Sequence, residues 1–258
     1  MKLDQVAAQL YTLRDHLKTP AQITSTLKKV RKIGYRAVQV SGMGPIDTGE
    51  LVRILDGEGL ICCATHENSD TILDNPEAVA EKLSALSCTY TAYPFPAGVD
   101  VSTLRSVRAF AKQLNNSGKI LHDAGKVLTY HNHDIEFFRI KDTTVLDIIY
   151  NETDAEFVQG EIDTHWVQAG GGSSVKWCRK LKDRLPMLHM KDYAVNIERK
   201  RVFAEIGNGN LDWPEIIQAA EESGCAWFIV EQDGDWLDND PFKSLKRSYQ
   251  YIKDQLVG

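Results

Sequence analysis

Residues Lys126–Phe137 read KVLTYHNHDIEF. The first half, from Val127 to Tyr130, is a short β-prone run without helical spacing. The second half crowds His131, His133, Asp134 and Glu136 together immediately afterwards. Taken alone, this is a strand running into a polar turn. If the strand belongs to a parallel barrel, the same residues stand at the C-terminal mouth, where such folds carry out their chemistry. The other strands should then end the same way.

Outward from Lys126, short apolar runs alternate with longer amphipathic ones. The runs read as strands are Gln5–Tyr11, Tyr35–Val40, Gly59–His66, Cys88–Phe95, Lys126–His133, Glu156–Asp163, Pro186–Lys191 and Trp227–Gln232. Between and after them, helical spacing covers Pro20–Ile33, Thr48–Asp56, Pro76–Leu86, Val101–Ala124, Thr144–Tyr150, Ser174–Leu181, Leu211–Ser223 and Pro241–Leu256. Gly34, Gly59, Gly125 and Gly224 each fall between a helix and the next strand, where a left-handed cap is expected. The strands are continuous apolar runs, as in a parallel sheet covered by helices. Eight such units in 258 residues predict an α/β fold, a (β/α)8 TIM barrel, as a single domain over residues 1–258. An open doubly wound sheet is the runner-up, but no GxGxxG follows the first strand and no GxxxxGK[ST] occurs.

Composition narrows the function classes. The chain is 43% hydrophobic and 26% charged, with a formal net charge of −6. No basic face for nucleic acid is evident, and no run approaches the ~20 apolar residues of a membrane span. The N-terminal stretch shows no signal-peptide core, which predicts a cytoplasmic protein. The five cysteines lack CxxC spacing and read as small buried hydrophobes.

The strand-end test succeeds. His66 ends the third strand, followed by Glu67; His131 and His133 end the fifth; Glu161, Asp163 and His165 share one parity at the end of the sixth. His189 and Lys191 end the seventh, with Asp192 beginning the next loop, and Glu231 and Asp233 end the eighth. Five of the seven histidines thus lie at strand ends; His16 and His122 read as surface groups. Mixed His/Asp/Glu donors without cysteine suit Mn²⁺, Mg²⁺, Co²⁺ or Zn²⁺. Residues i and i+2 share a face but lie about 6–7 Å apart along a strand. His131 and His133 are therefore expected to play different roles, as are Glu161 and Asp163.

YHNHDIEF, GEIDTHWV (Gly160–Val167), HMKD (His189–Asp192) and EIGNGNLDW (Glu205–Trp213) resemble the sugar phosphate isomerase/epimerase superfamily, the xylose isomerase-like TIM barrels. The resemblance spans essentially the whole chain. It implies a divalent metal held by a carboxylate on strand five, an aspartate on strand six, a histidine on strand seven and a glutamate on strand eight. Asp163, His189 and Glu231 match the last three. At the first position this chain has His131, so either His131 is a ligand or Glu161 reaches the metal from deeper in strand six. Gln39 and Asn208 also stand where a glutamate is common.

The resemblance implies a metal-dependent isomerase or epimerase of a sugar or keto-sugar, working through an enediolate. The catalytic groups are expected among Glu161, Glu231, His133 and Lys191, with His131, Asp163, His189, Glu231 and Glu161 as the metal set. His66, His165, Trp166 and Trp236 are expected to touch the substrate. Loss of a β-substituent from the same intermediate would make the enzyme a dehydratase or lyase. A sugar-binding barrel or partner subunit without activity, and a metal-dependent nuclease, are the readings from other classes. The partner is expected to be a small-molecule sugar, with no nucleic acid or membrane; the family implies a homodimer. The basic run Ile197–Arg201 reads as a solvated loop, which favours an unphosphorylated substrate.

Overall fold

Eight short strands close into a parallel barrel in the computed structural model, which describes residues 1–257. They are β1 (Val6–Gln9), β2 (Ala37–Val40), β3 (Ile61–His66) and β4 (Tyr90–Tyr93). The second half supplies β5 (Val127–His131), β6 (Val158–Asp163), β7 (Met187–Met190) and β8 (Trp227–Val230). Neighbours in sequence are neighbours in space, and β1 closes the ring on β8 with Val6 opposite Phe228 and Ala8 opposite Val230. The strands are shorter than the apolar runs containing them, because their ends bend into capping turns.

Alternation sends each strand's side chains to two different places. Ala8, Val38, Leu128, Val158, Leu188 and Phe228 face the helices and join the main core. Ala7, Ala37, Ala64, Met187 and Ile229 face inward and, with Cys63, form a separate small cluster inside the barrel. The register shifts between Val38 and Gln39, where β3 carries one extra residue. This bulge explains why the adjacent Cys63 and Ala64 both join the inward cluster.

Local chemistry sets the helices. Thr19 caps the helix Pro20–Ile33 by accepting from Gln22 N, and Ile23, Leu27 and Val30 form its buried stripe. Leu104–Asp123 buries Val107, Phe110, Leu114 and Leu121, each worth about 1.5–3 kcal/mol when removed from water. The four glycines expected between helix and strand all have positive φ; Gly59, at φ 62°, caps Thr48–Glu58 and donates to Asp56 O.

The differences from expectation lie in the loops at the mouth. A 3₁₀ helix, Leu10–His16, follows β1, and short helices Ser69–Asp74 and Thr164–Ala169 follow β3 and β6. The Ile197–Arg201 run is solvent-exposed, as read, but it is part of a defined element. It forms the turn of an antiparallel hairpin pairing Asp192–Val195 with Arg201–Ala204, and Arg201 ties it to Asp134 at 2.8 Å. Asp192 therefore begins a strand. Its buried carboxylate accepts from Gly207 N, Gly209 N and the Trp213 indole. The chain 205–213 is folded around this one acceptor, which accounts for its two glycines. No helix among the described residues is long and apolar enough to cross a membrane.

Candidate active site and metal centre

Two residues beyond the inward apolar cluster, the same strand faces become polar. Ala7 is followed by Gln9, Ala37 by Gln39, Ala64 by His66, Met187 by His189 and Ile229 by Glu231. These groups meet around Glu161, which is fully buried. Glu161 Oε1 lies 2.5 Å from His66 Nε2, 3.1 Å from His131 Nδ1 and 3.0 Å from His189 Nε2. Its Oε2 accepts from Gln39 Nε2 at 2.7 Å, and Gln39 Oε1 accepts from Gln9 Nε2 at 2.7 Å. Burial alone would raise the Glu161 pKa, but His189 and His66 outweigh it and hold the carboxyl well below the usual range.

This arrangement orients the histidines. Glu161 takes the Nδ1 side of His131, leaving Nε2 facing Asp163 Oδ2 at 3.9 Å. Gln39 Oε1 and Glu161 take the Nε2 side of His189, leaving Nδ1 facing Glu231 Oε2 at 2.9 Å and Asp163 Oδ2 at 3.9 Å. Burial, then the nearby His189, push the His131 pKa well below its ordinary value. Burial acts the same way on His189, but Glu161 and Glu231 overcome it and raise its pKa to about 10.

The residues present fit a divalent cation. His131, Asp163, His189 and Glu231 each offer a donor atom within 4.8 Å of the others. Two imidazoles and two carboxylates make a hard-to-borderline set without thiolate. Asp163 Oδ1 caps the helix Thr164–Ala169 by accepting from Trp166 N at 3.0 Å, whereas its buried Oδ2 has no hydrogen-bond partner. A second grouping, His66, His131, Glu161 and His189, also has the required spacing. In that grouping, however, both Glu161 oxygens already accept hydrogen bonds. Its place is behind the imidazoles, where a carboxylate fixes the ring a metal would bind.

Lys191 adds a resident positive charge. Its Nζ lies 2.7 Å from Glu231 Oε2, 2.9 Å from Asp233 Oδ2 and 3.0 Å from Asp163 Oδ2. Asp163 Oδ2 accepts no hydrogen bond and meets the ammonium only as an ion pair. Burial opposes the charge on Lys191, but the three carboxylates raise its pKa well above the ordinary lysine value. Burial raises Asp163 to about 6 against the pull of Lys191 and His189.

A cavity of 460 Å³ opens above this floor. Lys191, Glu231 and Asp233 line it below, with His66, His131 and His133 on one side. Tyr11, Phe95, Trp166 and Phe203 supply aromatic walls, and Arg14 and Ser41 complete the rim. His165 and Trp236 do not line it. β6 ends where Asp163 becomes a helix cap, so the strand alternation stops there and His165 turns inward. His165 is buried with Nδ1 2.8 Å from Asp192 O and its ring stacked on Phe203. Trp236 lies behind Arg14, whose guanidinium is 5.6 Å from its ring.

The fifth-strand motif now divides into separate tasks. His131 faces the centre, and Asn132 accepts from Asp163 N at 3.0 Å. His133 lines the cavity with its Nδ1 unpaired; burial, followed by Lys191, lowers its pKa to about 3. Glu136 is fully buried and accepts from both Tyr130 OH and His133 N at 2.8 Å. It clamps the turn that presents His133.

The family model described as "Xylose isomerase-like TIM barrel" matches residues 27–255. The chain belongs to this family. Inosose dehydratase of Geobacillus thermodenitrificans is 26% identical to this xylose isomerase-like barrel over 156 residues, 55% of this chain and 52% of that protein. Inosose dehydratase of Clostridium beijerinckii is 23% identical over 163 residues, 57% of this chain and 54% of that protein. The chain thus spans about half the length of the curated relatives it matches. A solved sugar phosphate isomerase/epimerase from Parabacteroides distasonis superposes with a TM-score of 0.83 at 20% identity, covering 97% of this chain and 94% of that one, and shares the fold.

Several groups in this family barrel escape strand-by-strand reading. Gln9 had a usable signal, since it stands two residues after an inward alanine on the parity of Gln39. Arg14 comes from the 3₁₀ helix Leu10–His16, Phe95 from the loop after β4 and Phe203 from the hairpin, where barrel-strand parity does not apply.

Proposed function

We propose that this chain is a divalent-cation-dependent enzyme that removes a proton from the carbon beside a carbonyl of a sugar or keto-sugar. The distribution of unpaired buried polar atoms carries this reading. Among the described residues they belong to Glu67, Asn132, His133, Asp163, His165, Trp166, Gln232 and Asp233. Every one follows or ends a barrel strand at the same mouth. Of these, His133, Trp166 and Asp233 line the cavity and Asp163 belongs to the donor set; buried polar atoms without partners are costly and rare, and ligands bound there would complete these four.

His131, Asp163, His189 and Glu231 would hold the cation, which would act as a Lewis acid towards the substrate carbonyl. The other roles belong to the chain itself. His133 is the base that the geometry offers, a neutral imidazole on the cavity wall with one nitrogen unpaired. Lys191 keeps a positive charge beside the cavity, where it stabilises negative charge developing on substrate oxygen. Glu161 and Gln39 hold the ligand imidazoles in one orientation. Tyr11, Phe95, Trp166 and Phe203 provide apolar faces for the C–H side of a sugar ring and keep water from the reacting carbon.

Between the outcomes open to such a site, elimination is favoured over epimerisation. Epimerisation needs a proton-transferring group on each face of the reacting carbon. His131, at the position where the resemblance implies a carboxylate, already has one nitrogen on Glu161 and the other directed at Asp163. That leaves His133, beside Asp233, whose carboxylate is tied to Lys191 through Oδ2. The matched proteins named inosose dehydratase agree with loss of water from a keto-inositol or keto-sugar.

The test is metal analysis followed by incubation with inosose and a panel of ketoses in deuterated water. Bound Mn, Mg, Co or Zn, deuterium entry at the α-carbon and release of water are expected. Metal-free protein whose melting ignores chelators would dispose of the cation. Metal-loaded protein that exchanges no α-proton would be a binding barrel instead.

A further inference from the structure

The cavity above the metal centre does not end at His66. A second cavity of 300 Å³ opens on the far side of Ser41 and His66, which line both. It lies between loop 42–46, the first turn of Thr48–Glu58, and the pair Glu67 and Lys82. Small-molecule sites run from about 300 to 1,000 Å³, so this cavity admits a compact unit and the two together admit a two-part ligand.

Its chemistry is specific. The hydroxyls of Ser41 and Thr48, the Glu67 carboxylate and the Lys82 ammonium lie in its lining, with Met43 and Ile46 as apolar surface. Glu67 Oε2 accepts from Lys82 Nζ at 2.8 Å, whereas the buried Oε1 has no partner. The lining therefore combines a carboxylate, one oxygen of which is covered and without a hydrogen-bond partner among the described residues, with hydroxyl-bearing side chains that both donate and accept.

We propose that this cavity is a subsite for a second polyhydroxylated unit, so that the substrate is a glycoside whose two parts straddle Ser41 and His66. The proposal rests on reading the first cavity as a sugar site. Sugar hydroxyls donate as well as accept, and so complete Glu67 Oε1 while accepting from Lys82 or Thr48. A phosphate cannot donate in its ionised form. It would also meet the Glu67 charge, while Lys82, the one ammonium in the lining among the described residues, is already paired with Glu67. An apolar group would leave Glu67 Oε1 unsatisfied.

Calorimetric titration of the Mn²⁺-loaded protein with glucose, glucose 6-phosphate, maltose, cellobiose and sucrose tests this, on the native chain and on Glu67→Gln and Thr48→Trp. At least one disaccharide is expected to bind about tenfold or more tightly than glucose, the equivalent of one hydrogen bond to a charged group. Glu67→Gln removes the charge and Thr48→Trp fills the cavity. Both should erase that advantage while leaving glucose affinity and the melting temperature near those of the native chain. Disaccharides that bind no better than glucose would overturn the subsite and leave the sugar site standing. Binding of no sugar at all would remove the sugar reading and this proposal with it. Tightest binding of glucose 6-phosphate, or a disaccharide advantage that survives both substitutions, would also overturn it.

Discussion

The two ends of the barrel interior come from the same strands and differ by a step of two residues. At the N-terminal end, Ala7, Ala37, Ala64, Met187 and Ile229 present only carbon and sulfur side chains. At the C-terminal end, Gln9, Gln39, His66, His189 and Glu231 crowd charges and imidazoles around Glu161. The inward cluster at the floor is apolar, and the Thr129 hydroxyl near it is satisfied by Thr91 O. The mouth carries the buried charge and the unpaired atoms. Barrel floors of this kind serve stability, and mouths carry function at a local cost in stability.

Substitutions should keep the two ends separate. Ile229→Ala opens a void in the floor and should lower stability by about 2–5 kcal/mol. Chemical denaturation measures this, and cation affinity measured on the folded variant should stay unchanged. Next in size, Asp163→Asn at the mouth should weaken cation binding by more than about a hundredfold, beyond what outer partners contribute. Calorimetry with Mn²⁺ checks it, and unaltered affinity would place the cation elsewhere. Glu161→Gln removes the acceptor behind the imidazoles without removing a ligand, and should cost about 10–100-fold in the same titration.

The smallest effect is a pH dependence beside the mouth. Burial raises Glu136 to about 7 despite hydrogen bonds from Tyr130 and His133 that lower it. A carboxyl with a raised pKa binds its proton more tightly in the folded chain. Its contribution is complete below the unfolded value near 4.5 and is lost as pH rises through about 7. Denaturation at pH 5 and pH 8 should show this fall, on the order of 1–3 kcal/mol, and Glu136→Gln should flatten it. An unchanged slope in the variant would assign the effect to other groups.

The barrel was legible because its signals are periodic. Apolar runs, helical stripes and the four glycines between them all repeat, and parity along a strand tells which residues share an interior. Parity carried Glu161, Asp163, His189 and Glu231 to one place, but it holds only while the strand lasts. It placed His165 with them, and the structure turns that ring away because Asp163 starts a helix. The same limit hid Arg14, Phe95 and Phe203, which reach the cavity through tertiary packing of loops. Sequence left open whether His131 or Glu161 completes the metal set, and both groupings have the spacing for a cation. The hydrogen bonds of both Glu161 oxygens favour the reading in which it stands behind the rings.

Asp163 holds a helix with one oxygen and faces the metal centre with the other. The wall and the floor therefore share a joint. Asp163 thus stands between the four-residue donor set and the first turn of Thr164–Ala169, which carries Trp166, whose ring forms part of the cavity wall. One side chain joins the two, and the indole of Trp166 is the natural place to watch from outside for a cation bound there.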